Sequence, residues 1–139
     1  MIERLIYRPR PNAMRDNRFL KRLHKKAKKG LRGWPLATIA FYGPNLSQAT
    51  KAAVGIIPSE NAEAEEMRDW HVPHGDIRED VSIGQEIVEF IKEHGALTVV
   101  MTDGIIGCPH QEGIDYHGEW CPVCEFWRGR DRLTGQMLH

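Results

Sequence analysis

The sequence predicts a small α/β domain, with α+β as its near variant, and three observations carry that prediction. Two β-prone runs, Leu36–Tyr42 and Thr50–Ile57, lie close together, and a third, Ala96–Thr102, follows later. Two stretches carry apolar residues at helical spacing, one before the first run and one between the second and third. The chain has 139 residues, 41% of them hydrophobic, enough for one buried core and too few for two. The expected architecture is a mixed sheet of three or four strands with helices packed on it.

Residues 1–33 form a basic arm and helix, and residues 34–139 carry the rest of the domain. The arm holds twelve Arg or Lys against Glu3 and Asp16, or +10, which leaves −10 on the remainder of a chain with zero formal net charge. Residues 1–14 read as irregular, because Pro9 and Pro11 remove backbone donors and favour extended structure. Asp16 or Asn17 can cap a helix running to about Lys29, with Gly30 as its C-cap. Phe19, Leu20, Leu23, Ala27 and Leu31 make a narrow apolar stripe. Arg15, Arg18, Lys21, Arg22, Lys25, Lys26, Lys28 and Lys29 occupy the remaining surface. A solvated helix face usually mixes charge signs, so a face this uniformly basic points to phosphate contacts and a nucleic-acid partner.

Gly33-Trp34-Pro35 breaks the helix, and Gly43-Pro44-Asn45 ends the first strand. The short connection to Thr50–Ile57 predicts an antiparallel hairpin. Ser59 is read as the cap of an acidic helix from Glu60 to about Asp69, a natural internal counterpart to the basic arm. Trp70 to Asp76 reads as a loop whose His71 and His74 could bind metal or move protons. Ser82-Ile83-Gly84-Gln85 matches a capping box, with a helix to His94 and Gly95 at its end. Ile83, Ile87, Val88, Phe90 and Ile91 form its buried stripe. Ala96–Thr102 reads as a strand covered on both faces, turned at Asp103-Gly104. Hairpin, helix and strand in that order favour a crossover.

The strongest chemical signal is Cys108-Pro109-His110 followed by Cys121-Pro122-Val123-Cys124, which together hold all three cysteines. Cys108, His110, Cys121 and Cys124 supply four soft or borderline donors, the number a tetrahedral zinc takes. The expectation is a zinc-binding loop at 108–124 with a closed structural Cys3His shell, which suits a reducing cytoplasmic setting. Asp103, Asp115 and His117 flank the cluster and could orient His110, although Asp103-Gly104 is also an ordinary turn signal. Phe126 and Trp127 are expected to pack the loop onto the body, and Arg128, Arg130 and Arg132 form a second basic patch.

His110-Gln111-Glu112 with Cys121-Pro122-Val123-Cys124 resembles the HxE…PCxxC signature of zinc-dependent cytidine and adenosine deaminases. The resemblance covers only this loop. It implies zinc on His110, Cys121 and Cys124, with Glu112 as the proton shuttle. The sequence departs from that signature in two ways. Eight residues between Glu112 and Cys121 cannot hold the strand that separates the family's two halves, and the proline lies inside the CxxC. Cys108 would also take the position that a catalytic zinc leaves open for water.

No apolar run approaches the roughly 20 residues that cross a bilayer, and no secretory signal is visible at the N-terminus. A Walker-type loop, a GxGxxG turn, an HExxH pair and a GxSxG elbow are absent from the sequence. The leading expectation is a zinc-binding protein that acts by binding nucleic acid or a ribonucleoprotein. A zinc hydrolase or deaminase-like enzyme using Glu112 is the second reading. A homo-oligomer held by the basic arm and the acidic helix of a neighbouring copy is the third.

Overall fold

The computed structural model describes residues 17–110, 124–130 and 136–137. It is an α+β fold, a mixed four-stranded sheet with two helices.

The first helix, α1, spans Arg18–Ala27, and the side chain of Asn17 caps it by accepting the Leu20 N–H. Phe19, Leu20 and Leu23 are buried, and Leu31 is 66% exposed, so the apolar stripe ends with the helix. Gly30 has φ +73° and Gly95 has φ +65°, the left-handed conformation expected where each helix stops. The first strand, β1 (Leu36–Tyr42), pairs antiparallel with β2 (Lys51–Ile57), as the hairpin reading required.

The acidic helix is not formed. Residues 59–61 turn with Asn61 at φ +64°, and Glu66–His71 is a third strand, β3, antiparallel to β2. The β3 residues are exposed except Trp70, so an edge strand with little apolar periodicity imitated a solvated helix. This removes the acidic helix as a docking partner for the arm. Glu66 and Asp69 lie on the sheet edge instead, on the strand farthest from β4.

A short 3-10 turn at Ile77–Glu79 leads into α2 (Val81–Glu93). Its cap is Asp80, which accepts the Ile83 N–H at 3.0 Å, not Ser82, whose hydroxyl donates to Asp80 Oδ1. The fourth strand, β4 (Thr98–Ile105), runs parallel to β1 and completes the order β3-β2-β1-β4. As an edge strand it is open on one side, and Val100 is 49% exposed, so the apolar run is not covered on both faces. Asp103 and Gly104 lie within β4 and do not turn the chain. There the register shifts: Ile39 pairs with Met101, but Phe41 pairs with Ile105. The Thr102 hydroxyl accepts the Phe41 N–H inside this bulge and donates to the Gly104 carbonyl.

Cross-strand partners share a face, so Ala37, Ile39, Phe41, Val54 and Trp70 form one layer of the core. Both helices lie against it. Trp70 meets Phe90 of α2 edge-on at 6.0 Å, and α1 packs on β4 and α2. Among the described residues no helix is long and apolar enough to cross a membrane.

Candidate metal centre

β1 and β4 are parallel, so their C-terminal ends deliver Tyr42-Gly43 and Gly107-Cys108 to the same end of the sheet. The Gly43 N–H donates to the Gly107 carbonyl at 2.9 Å, which joins the two exits. Cys108 is fully buried beneath this junction. His110 follows on a turn, and Cys124 comes to the same place at the start of the 3-10 turn Glu125–Trp127. Trp127 anchors that turn. It is 1% exposed, and its indole N–H donates to the Gly43 carbonyl at 2.8 Å.

The result is a compact donor set. One ligand atom each from Cys108, His110 and Cys124 lies within 4.8 Å of the others. Cys124 Sγ is 3.4 Å from His110 Nδ1. Two such ligands on one tetrahedral zinc stand about 3.5 Å apart, from Zn–S and Zn–N bonds of about 2.3 and 2.0 Å. The spacing and the chemistry of these three side chains therefore fit a metal ion. Cys108, His110 and Cys124 are the expected ligands brought together here. Cys121, Glu112, Asp115 and His117 lie outside the described residues, as do Arg15 and Arg132. Asp103 is exposed on β4 and takes no part in the group, and neither do His71 and His74.

Lys51 is not marked by any pattern in the sequence. This lysine is 2% exposed, and its Nζ donates to the Pro109 carbonyl at 3.0 Å, between two of the ligands. A lysine opening a strand after Thr50 looks like any solvated strand end. Among the described residues, the return of 108–110 brings the Pro109 carbonyl to its ammonium.

The basic residues of α1 make a second feature. Arg22, Lys25, Lys26 and Lys29, spaced for one helix face, line an open groove with Arg32, which the helical spacing did not include. Arg18, Lys21 and Lys28 are exposed outside it. Among the described residues, none of the eight cations from Arg18 to Arg32 pairs with a carboxylate. The groove lies far from the metal group. Arg32 N–H donates to Thr98 Oγ1 at the start of β4, and Cys108 follows its end, about 20 Å away at 3.3 Å per residue. Arg128 and Arg130 lie at the metal end, where Arg130 stacks over the Phe126 ring at 4.2 Å and donates to the Phe126 carbonyl.

The chain matches no protein-family model, and comparison with curated proteins and with solved structures finds no match to either.

Proposed function

We propose that this chain is a zinc-stabilised protein that binds nucleic acid through α1. The observation that carries the reading is the basic groove: five cations converge on one surface with no carboxylate paired to them among the described residues. A basic face neutralised by its own fold would show ion pairs there. From Arg22 in α1 to Lys29 in the turn just after it the chain advances about 10 Å, enough to follow about three phosphates at 3.4 Å per nucleotide along one strand. Lys and Arg heads on such a face contact phosphates without reading bases, so the binding is electrostatic and tolerant of sequence.

Zinc is the metal that thiolates and an imidazole at tetrahedral spacing suit best, with Cys121 as the fourth ligand. In a closed shell the ion holds the C-terminal segment to the end of the sheet and performs no reaction. The enzyme reading needs an open position and Glu112, and no observation favours it.

Fluorescent oligonucleotides, single- and double-stranded, titrated at several salt concentrations test the reading. Three to five phosphate contacts predict a log–log slope of about −3 to −5 on duplex DNA. Lys25→Glu with Lys29→Glu should abolish binding while the fold survives. Undetectable binding at low salt, or an affinity indifferent to salt, would refute it.

A further inference from the structure

Two cations of the basic groove, Arg22 and Lys26, also line a second cavity, which lies between α1 and α2. They stand one turn apart on α1 and form a wall common to both spaces. Leu23 of α1 with Val88 and Ile91 of α2, all buried core residues, make the apolar floor of this cavity. Lys92 in the last turn of α2 adds a third cation. Among the described residues no carboxylate lines the groove or the cavity. The cavity holds about 140 Å³, well below the roughly 300–1,000 Å³ of a site for a whole small molecule. A cavity of about 150 Å³ with apolar walls takes one benzene-sized ring. A larger cavity of about 270 Å³ lies between α1 and β4, but no groove cation opens onto it and Asp103 is part of its lining. A phosphodiester chain along the groove carries a base on each sugar. In a duplex those bases are stacked and paired, and one reaches a side cleft only by flipping out at a cost. In a single strand the base turns aside without that cost, and an Arg guanidinium plane is a natural surface for it to stack on.

We propose that the cavity between α1 and α2 is a base-binding cleft, and that the nucleic acid α1 accommodates best is a single strand with one pyrimidine seated there beside its phosphates. The inference rests on the reading that α1 binds nucleic acid, and it names the form that is bound. Arg22 stacks on the face of the base, and Leu23, Val88 and Ile91 take its ring out of water. A six-membered ring matches the space, whereas the fused rings of a purine overfill it. Sequence tolerance along the groove is kept, and the cleft adds a preference for ring size at one position. The phosphate contacts supply the salt-dependent part of the affinity, and the base supplies a part that salt leaves largely unchanged.

Anisotropy titrations of the full chain at low salt test the proposal with three short single-stranded probes of equal length: an abasic phosphodiester chain, the same chain with one thymine, and the same chain with one adenine. The thymine probe should bind about tenfold tighter than the abasic chain with the same salt slope, and adenine should recover less of that gain. The thymine probe should also shift the methyl NMR signals of Leu23, Val88 and Ile91 through its ring current, while the abasic chain and a duplex leave them in place. Val88→Phe, which fills the cleft, should bring the thymine probe down to the affinity of the abasic chain. Where that variant does not fold, the methyl shifts of the native chain decide. Thymine binding no tighter than the abasic chain, adenine matching thymine, or cleft methyls unmoved by thymine would each overturn the proposal and leave the phosphate groove intact. Undetectable binding of every probe and of duplex, or affinities indifferent to salt, would overturn the nucleic-acid reading and this inference with it.

Discussion

Trp127 Nε1 donates to the Gly43 carbonyl at 2.8 Å across 84 residues of sequence, and this bond ties the segment bearing Cys124 to the exit of β1. Gly43 has no room for a side chain: a Cβ there would stand 1.8 Å from the Gln48 carbonyl oxygen. The loop after β1 is therefore tight enough to hold its carbonyl in place for the indole. Trp127→Phe keeps most of the ring and removes the donor, leaving a buried carbonyl unpaired. The expected cost is about 1–3 kcal/mol in urea unfolding, with weaker metal uptake because Cys124 loses its anchor. Native stability in that variant would show that the bond does not hold the segment.

Asn17 joins the two helices at their N-termini. It is fully buried, caps α1 through Oδ1, and donates from Nδ2 to the Arg78 and Asp80 carbonyls. A Cβ on Gly84 of α2 would lie 2.6 Å from Asn17 Oδ1, so the small residue makes space for the cap. Asn17→Ala should cost about 2–3 kcal/mol, from the lost cap and the lost bond to the Arg78 carbonyl, while the Asp80 carbonyl keeps the Gly84 N–H. Gly84→Ala should destabilise the native chain and be neutral or stabilising in the Asn17→Ala background, where helix propensity favours Ala by about 1 kcal/mol. A double-mutant cycle in urea measures this coupling, and additive effects would contradict it.

The legible parts of the chain were those where one strong local pattern agreed with the tertiary fold. Phe19, Leu20 and Leu23 marked the face of α1 because nothing else in that segment can be buried. β1 was readable residue for residue, and the Cys-His cluster by its ligand types. β3 was misread because an edge strand with one buried residue has no period to show, and Glu63, Glu65 and Glu66 suggest a helix start. Asp80 was missed as a cap because Ser82 offered a competing local motif. Lys51 and Arg32 were invisible for another reason: their roles depend on segments that meet only in the folded chain.

Acid should weaken the fold through Asp76. Burial raises the pKa of this carboxyl, but hydrogen bonds and charge from Arg78, together with the Ala49 N–H, outweigh it and hold the pKa below its ordinary value. The Asp80 carboxyl is also lowered, chiefly by the Ile83 N–H and the Ser82 hydroxyl. Both groups are lower in the folded state than in the unfolded one. Their stabilisation is thus complete above about pH 4 to 5 and is lost as pH falls through the folded values. Urea midpoints should decline from about pH 4 downward, and Asp76→Asn should flatten part of that slope while lowering stability at neutral pH. A slope unchanged in Asp76→Asn would place the acid sensitivity elsewhere.

Metal uptake and nucleic-acid binding should fail separately, because the two features occupy opposite ends of β4. Lys26 Nζ reaches the Ala96 carbonyl and Arg32 N–H reaches Thr98 Oγ1 at one end, while Cys108 follows Ile105 past the other. Over about 20 Å, two Debye lengths at physiological salt, the lysines exert little field on the ligands. Lys25→Glu with Lys29→Glu should therefore bind zinc with native stoichiometry while losing oligonucleotide affinity. Cys108→Ser should do the reverse only as far as the fold survives. The buried thiol is lost from the group, metal content falls, and the apparent binding energy of about 10–16 kcal/mol that a structural zinc can add to folding is reduced. Atomic-emission zinc content, circular dichroism and oligonucleotide anisotropy on the same preparations separate these effects. If charge reversal on α1 strips the metal, the groove and the ligands belong to one coupled site and the two-ended arrangement is wrong.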